Sequence, residues 1–227
     1  MIKILFLGNN TGYSDRVKTA LEKAGYPLVT GHKQADLIIS VAYGQKLPPG
    51  GLNLHPSLLP KYRGATPVPR QILDGVKQSG ITIIKMTGEF DAGPIVAQEK
   101  VEILPDDTTP VLLKRCFTAG AKLLAKILPD YLEHKMYPKP QPKESPTPYC
   151  RRFTKQDGFI SWKEFKLSRQ TPELDRKIRG LFPWPGVWTK MPNGKTLKLL
   201  PKNLLQLEGK NPISRQQFLA GYKQYLI

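Results

Sequence analysis

Two polar side chains that could act on a carbonyl group lie in the apolar segment 51–55. Asn53 and His55 are separated by one residue, so in a strand both side chains project from the same face. An amide donates hydrogen bonds to a developing oxyanion, and an imidazole serves as an acid, a base or a donor. Open α/β sheets build active sites at the carboxyl ends of strands, so this pair predicts chemistry on a carbonyl oxygen at such an end.

A carboxylate that could complete the site is Asp91, within the turn-like segment 89–94. Glycine and proline in this segment can hold the carboxylate rigidly near a neighbouring strand end. The three groups suit acyl transfer to an amine. Asn53 would donate to the oxygen, and His55 would stabilise it as a cation or donor. Asp91 would orient the imidazole and take the amine proton, directly or through a water. On spacing alone, a structural pair and a plain turn remain the alternatives.

The elements that must position these residues alternate between apolar strands and amphipathic helices, which indicates an α/β fold. Ser14 is the expected N-cap of the first helix. Strands are predicted at residues 2–8, 27–30, 35–42, 51–55, 80–86 and 94–101, and helices at residues 14–23, 66–74 and 108–134.

A proline-rich segment, residues 137–149, separates two predicted domains and contains five prolines. Such a composition favours an extended linker over the surface. We therefore predict a catalytic domain at residues 1–136 and a small C-terminal module at 150–227. Within the module we predict a turn and short strand at 157–162, a basic helix at 171–180, a strand at 194–200 and a terminal helix at 214–225.

Charge distinguishes the two halves of this 227-residue chain, whose formal net charge is +17. Residues 135–227 carry 19 Lys and Arg against 6 Asp and Glu, so most of the excess lies in the C-terminal part. This indicates either a very soluble basic surface or a polyanionic partner, most simply a nucleic acid. Cys116 and Cys150 have no metal-ligand spacing, so we expect no metal site and a reduced, cytoplasmic setting without a membrane span.

Together, the two polar motifs resemble the signature of the folate-dependent formyltransferases. In that family the matching Asn, His and Asp form the catalytic triad, so the resemblance assigns Asn53, His55 and Asp91 to catalysis. It also implies 10-formyltetrahydrofolate as the formyl donor and a Rossmann-like, mostly parallel sheet. The residues that carry the resemblance are Asn53–Pro60, Arg63–Gly64 and Asp91–Ile95.

The segment 41–48 resembles the pterin-binding loop of the same family. The resemblance implies that backbone groups of this loop hold the pterin, with two further residues across the pocket. A plain strand-to-turn connection is the alternative. The folate-binding residues implied in this way are Gln45, Lys46, Leu47, Glu89 and Phe90.

The C-terminal segments 157–162, 174–186, 207–214 and 218–222 are similar to those of methionyl-tRNA formyltransferases. This similarity implies initiator methionyl-tRNA as the acceptor and a role in translation initiation. Sugar-nucleotide N-formyltransferases share the element Pro183–Pro185, so an amino-sugar acceptor stays open. A folate- or RNA-binding protein without catalysis is the further alternative.

Two regions are shorter than in the methionyl-tRNA enzymes. Before Ala35 the chain lacks a strand–helix unit and the basic loop that grips the tRNA acceptor end. The C-terminal region is too short for the family's full barrel. We therefore expect a shortened family member, in which a small, basic, β-rich and barrel-like module follows the catalytic domain.

Overall fold

The computed structural model describes residues 2–9, 12–167 and 171–225, although it leaves the side chain of Leu167 undescribed. The chain divides into two compact units, each with its own sheet. The first unit contains the residues up to Val68, Val76–Leu104 and Val111–Arg151. The second unit contains Pro69–Gly75, Pro105–Pro110 and the residues from Arg152 onward. The proline-rich segment thus belongs to the first unit.

The first unit is built on a six-stranded sheet with the order β2-β1-β3-β4-β5-β6. The strands β1 to β4 pair in parallel, whereas β5 and β6 are antiparallel to their neighbours. This confirms the predicted α/β fold with a mostly parallel sheet. The strands are β1 (Ile4–Gly8), β2 (Leu28–Val29), β3 (Leu37–Val41), β4 (Leu52–His55), β5 (Gln78–Lys85) and β6 (Ile95–Glu102).

The helices α1 (Ser14–Lys23) and α3 (Thr109–Leu132) cover apolar side chains of this sheet. A short helix, α2 (Pro67–Leu73), follows the turn after β4, and its residues from Pro69 onward belong to the second unit. A Cβ on Gly120 would lie 2.8 Å from Ile81 and 3.2 Å from Leu54, so glycine lets α3 approach β4 and β5 closely. Because Leu54 points toward α3, its neighbours in the strand point away from this helix.

The start of α1 differs from the sequence prediction. Tyr13 occupies the N-cap position, and Ser14 is the first helical residue. The buried Ser14 hydroxyl instead donates to the backbone carbonyl of Asn9. The side chain therefore bonds to the backbone that follows β1 rather than capping the helix end.

The second unit is built on a four-stranded antiparallel sheet with the order β10-β9-β8-β7. Its core contains Phe165 and Phe218, both 0% exposed. No helix in the described ranges has the length and apolar content needed to cross a membrane. The elements are α4 (Trp162–Leu167), α5 (Pro172–Leu181), β7 (Val187–Lys190), β8 (Thr196–Leu200), β9 (Leu204–Leu207), β10 (Ile213–Ser214) and α6 (Arg215–Gly221).

The predicted short strand at residues 157–162 is wrong. Phe159 forms only an isolated bridge with Trp188, and α4 already begins at Trp162. The Ser161 backbone N–H donates to the Glu164 carboxylate, while the Glu164 N–H donates to the Ser161 hydroxyl. This reciprocal capping starts the helix, and the Ser-x-x-Glu spacing was the signal that could have predicted it.

Candidate active site

Asn53 and His55 lie on one face of β4, between β3 and β5. In the strand register Asn53 lies beside Ser40 and Ile84. His55 is 4% exposed, whereas Asn53 is half-buried. Within the described ranges the side-chain amide of Asn53 makes no hydrogen bond. The amide is therefore available to a ligand without first losing an internal partner.

His55 has an acceptor at each ring nitrogen. Nδ1 lies 3.2 Å from Oδ1 of Asp91, and Nε2 lies 2.9 Å from the backbone carbonyl of Tyr62. A carboxylate and a carbonyl can only accept, so a doubly protonated ring satisfies both contacts at once. A neutral ring can donate to only one of them. An N–H at either ring nitrogen therefore has an acceptor in place, the Asp91 carboxylate at Nδ1 and the Tyr62 carbonyl at Nε2.

Both oxygens of Asp91 are engaged. Oδ1 faces His55, and Oδ2 accepts a 2.9 Å hydrogen bond from the Gly64 backbone N–H. Burial raises the pKa of this carboxyl, but the charge and hydrogen bond of His55, the Gly64 N–H and the charge of Arg63 outweigh burial. The net pKa lies below the ordinary value. Asp91 is therefore held as a carboxylate beside the imidazole.

The loop that carries Asp91 depends on a glycine. A Cβ on Gly93 would lie 1.8 Å from the Lys85 carbonyl oxygen, so only glycine permits this close approach. The Lys85 N–H donates to the Pro94 carbonyl at 3.0 Å and closes the loop against β5. Asp91 lies two residues before Gly93, so the close contact between Gly93 and Lys85 determines where the Asp91 carboxylate lies.

The turn that contains Gly64 forms the side of the site next to Oδ2 of Asp91. Gly64 has a φ of +117°, which side-chain-bearing residues rarely adopt. Its Cβ position lies 2.7 Å from the Cys150 carbonyl oxygen and 2.8 Å from the Cys150 nitrogen. A side chain there would push the turn away from Cys150 and from Asp91.

For the acyl transfer expected from the sequence, Gly64→Ala should lower kcat by about 10- to 100-fold. The Gly64 N–H that donates to Asp91 must move with the backbone in this variant. The free energy of unfolding should also fall by about 1–3 kcal/mol. Gly25→Ala is the matched control, since Gly25 has a φ of +82° and no atom within 4 Å of its Cβ position. Steady-state kinetics and denaturant unfolding would measure both effects. Equal kcat in both variants would contradict this explanation.

Sequence reasoning assigned no structural role to several residues that support the site. Tyr62 supplies the carbonyl at Nε2 of His55, and Arg63 contacts the proline-rich segment through Gln141. Thr147, from the same segment, accepts from the Tyr62 N–H. Tyr62 and Thr147 are 85 residues apart in sequence, and no local pattern connects them.

The residues implied to bind folate lie on two loops that leave the sheet at neighbouring points. Hydrogen bonds of 3.0 Å from Gly50 to Met86, and of 2.7 Å from Met86 to Gly51, join the bases of these loops. Gln45, Lys46 and Glu89 are exposed, Leu47 is half-buried, and Phe90 is 53% exposed. Their role toward a ligand stays a prediction.

Comparison with known proteins supports a single family. The family described as "Formyl transferase" matches residues 19–128, and "Formyl transferase, C-terminal domain" matches residues 152–211. A methionyl-tRNA formyltransferase of Dehalococcoides mccartyi is 34% identical over 232 residues, which cover 84% of this chain and 71% of the relative.

Two solved structures share the fold. Methionyl-tRNA formyltransferase from Clostridium thermocellum superposes with a TM-score of 0.65 at 16% identity, covering 94% of this chain and 96% of that protein. A sugar N-formyltransferase from a Shewanella species superposes with a TM-score of 0.68 at 18% identity, covering 93% and 100%. At these identities the likeness shows the fold alone.

Proposed function

The chain belongs to the formyl transferase family, and from this membership we propose that it formylates the amino group of initiator methionyl-tRNA. The enzyme is a formyltransferase, and 10-formyltetrahydrofolate is the formyl donor of the family. The convergence of Asn53, His55 and Asp91 at the end of β4 carries the proposal for the chemistry. The 34% identity to a methionyl-tRNA formyltransferase and the basic second unit support methionyl-tRNA as the acceptor.

The residues around β4 fit a formyl donor of this kind. The donor offers a flat pterin and an activated formyl group. Phe90 exposes aromatic surface on one flanking loop, and the Asn53 amide has no internal partner among the described residues. An exposed ring suits the pterin, and an available amide donor suits the formyl oxygen.

The proposed reaction moves one formyl group between two nitrogens. The acceptor amine attacks the formyl carbon, so a new C–N bond forms and the bond from this carbon to the folate N10 breaks. The amine loses a proton, and the departing folate nitrogen gains one. Asn53 donates a hydrogen bond to the negative charge that develops on the formyl oxygen, and Nε2 of His55 donates to the same oxygen once it exchanges its contact with the Tyr62 carbonyl.

Asp91 has a separate part in this mechanism. Its carboxylate lies 3.2 Å from Nδ1 of His55 and orients the ring. The Gly64 N–H fixes the second oxygen, so the carboxylate cannot rotate freely away from the ring. A water hydrogen-bonded to this carboxylate would receive the proton that the amine loses.

The second unit presents a face suited to a polyanion. Trp188, Lys198 and Gln206 lie side by side across β7, β8 and β9. Nζ of Lys155 lies 5.4 Å from the Trp188 ring centroid. Cations next to an aromatic side chain can neutralise phosphates and stack on bases. Further exposed cations of this unit include Lys163, Lys190, Lys195, Lys202 and Lys210.

We expect the purified protein to formylate initiator methionyl-tRNA when 10-formyltetrahydrofolate is supplied. Its kcat/KM should fall by about 10-fold or more as salt rises from about 50 to about 200 mM, because phosphate contacts release counterions. Lys198→Glu should raise the KM for tRNA by about 3- to 10-fold and leave the KM for the donor unchanged. Lys33→Glu, an exposed position in the first unit, is the charge-matched control.

The same assay with an amino-sugar nucleotide separates the alternatives. Formylation of the sugar, with none of the tRNA, would overturn the proposed acceptor and leave the chemistry intact. Binding of folate or RNA without transfer to either acceptor would overturn the proposed reaction.

A further inference from the structure

We propose that the proline-rich segment is a positioning element of the active site, in which Gln141 and Thr147 hold the two residues that flank His55. The proposal rests on the formyl transfer proposed for this site. It assigns a catalytic consequence to a stretch whose composition alone indicates a linker. All the residues concerned belong to the first unit.

The partners of His55 share an uncommon backbone conformation. Asp91 has a φ of +56° and Tyr62 a φ of +62°, both in the left-handed region that favours glycine. Residues with side chains persist there only where surrounding contacts hold them. One of these residues presents its carboxylate to Nδ1 of His55, and the other presents its carbonyl to Nε2. The imidazole orientation therefore depends on what holds these two backbones.

Gln141 holds the Asp91 loop. Its side-chain amide donates to the carbonyl of Asp91 at 2.9 Å and to the carbonyl of Gly93 at 2.6 Å. Its Oε1 accepts from Nη2 of Arg63 at 2.9 Å and from Nε at 3.3 Å. Arg63 can only donate, so this contact fixes which end of the amide faces the loop.

The Arg63 guanidinium anchors the proline-rich segment as well. Arg63 is 8% exposed, and it donates to the backbone carbonyls of Pro142 at 2.8 Å and Lys143 at 3.0 Å. Three consecutive positions of the segment thus converge on one buried cation. The anchor keeps Gln141 at the Asp91 loop.

Thr147 holds the opposite side. Its hydroxyl oxygen accepts from the Tyr62 N–H at 2.6 Å, at the residue whose carbonyl faces His55. Ser145 donates to the Pro60 carbonyl at 2.8 Å and extends the contact along the same turn. The segment therefore touches the backbone on both sides of the imidazole, through one amide and one hydroxyl.

Gln141→Glu separates the two ends of the amide. A glutamate keeps the acceptor for Arg63 but presents a carboxylate to the carbonyls of Asp91 and Gly93, so the loop should shift. We expect kcat to fall by about 100-fold, as a displacement of about 1 Å can cause, with KM values within about 3-fold of wild type. Gln34→Glu, an exposed position in the same unit, controls for the added charge.

Two substitutions of Thr147 separate the loss of its hydroxyl from a change of shape. Thr147→Val removes the oxygen that accepts from Tyr62, and we expect kcat to fall by about 10-fold. Thr147→Ser keeps that oxygen and should stay within about 2-fold of wild type. This pair tests the proposal independently if Gln141→Glu folds poorly.

The decisive readout is His55 itself. The chain has three histidines, so ¹⁵N-histidine labelling gives a simple spectrum in which a His55→Gln variant identifies the His55 signals. We expect Gln141→Glu and Thr147→Val to shift the His55 ring signals while those of His32 and His134 stay in place.

In an Asp91→Asn background, Gln141→Glu should lower kcat by no more than about 2- to 3-fold, because residues acting through one another are non-additive.

The outcomes are distinct. Unchanged His55 signals in both variants would overturn the proposal, as would a full 100-fold kcat loss that persists in the Asp91→Asn background. If the wild type does not formylate methionyl-tRNA, the proposed acceptor fails, but the histidine spectra still test the positioning role.

Discussion

Asp91→Asn is expected to lower kcat for formyl transfer by about 10³- to 10⁴-fold, the range seen when a carboxylate that orients a catalytic histidine becomes an amide. Both partners of the carboxylate in this structure, Nδ1 of His55 and the Gly64 N–H, are donors. An asparagine has only one acceptor oxygen, so its NH₂ group must face one of these donors. Either the ring or the turn then moves, and the negative charge beside the ring is lost.

Single-turnover formylation would measure this loss separately from binding. The KM values for donor and acceptor should change little, because Asp91 acts on the ring rather than on the substrates. Asp36→Asn is the control, since its carboxylate also accepts a backbone hydrogen bond, from the Lys3 N–H at 2.7 Å. A kcat loss below about 10-fold would show that Asp91 does not orient His55 in the reaction.

The lowered pKa of Asp91 makes the same substitution a test of stability against pH. A carboxyl whose pKa is lower in the folded than in the unfolded chain adds stability above the unfolded pKa, here near 3.8. That contribution disappears as the pH falls through the folded pKa. The unfolding free energy of wild type should therefore exceed that of Asp91→Asn by more at about pH 7 than at about pH 3. A difference independent of pH would contradict this assignment.

Asn53→Ala is expected to lower kcat by about 10²- to 10³-fold, the cost of removing one donor to a developing oxyanion. The unfolding free energy should change little, because the half-buried amide makes no hydrogen bond within the described ranges. Asn53→Asp should be worse, since it replaces the donor with a negative charge where negative charge develops. Single-turnover kinetics and thermal unfolding would measure both variants.

Asn211→Ala, at an exposed position of the second unit, is the matched control for Asn53→Ala. An unfolding free energy reduced by several kcal/mol, or an unchanged kcat, would assign Asn53 a structural role instead. Of these two residues, only Asp91 should contribute to the free energy of unfolding, because its side chain, unlike that of Asn53, makes hydrogen bonds within the described ranges.

Much of the fold was predictable because the signals are local. The apolar strands and the helix at Ser14–Lys23 follow from side-chain periodicity, which depends only on neighbouring residues. The same periodicity puts Asn53 and His55 on one face of β4. The sequence prediction failed where two local readings compete. Ser14 donates to the Asn9 carbonyl instead of capping its helix, and Trp162 begins a helix after a single bridge.

The amino-acid sequence alone is enough to predict the α/β fold, the strand that carries Asn53 and His55 and, through resemblance, Asp91 as their partner. How the imidazole is held, through Tyr62 and the proline-rich segment, is visible only in the folded protein. The difference comes from distance along the chain. Hydrogen bonds such as those of Thr147 to Tyr62 and Gln141 to Asp91 join residues 85 and 50 positions apart. Such contacts leave no periodic trace and exist only once the chain has folded.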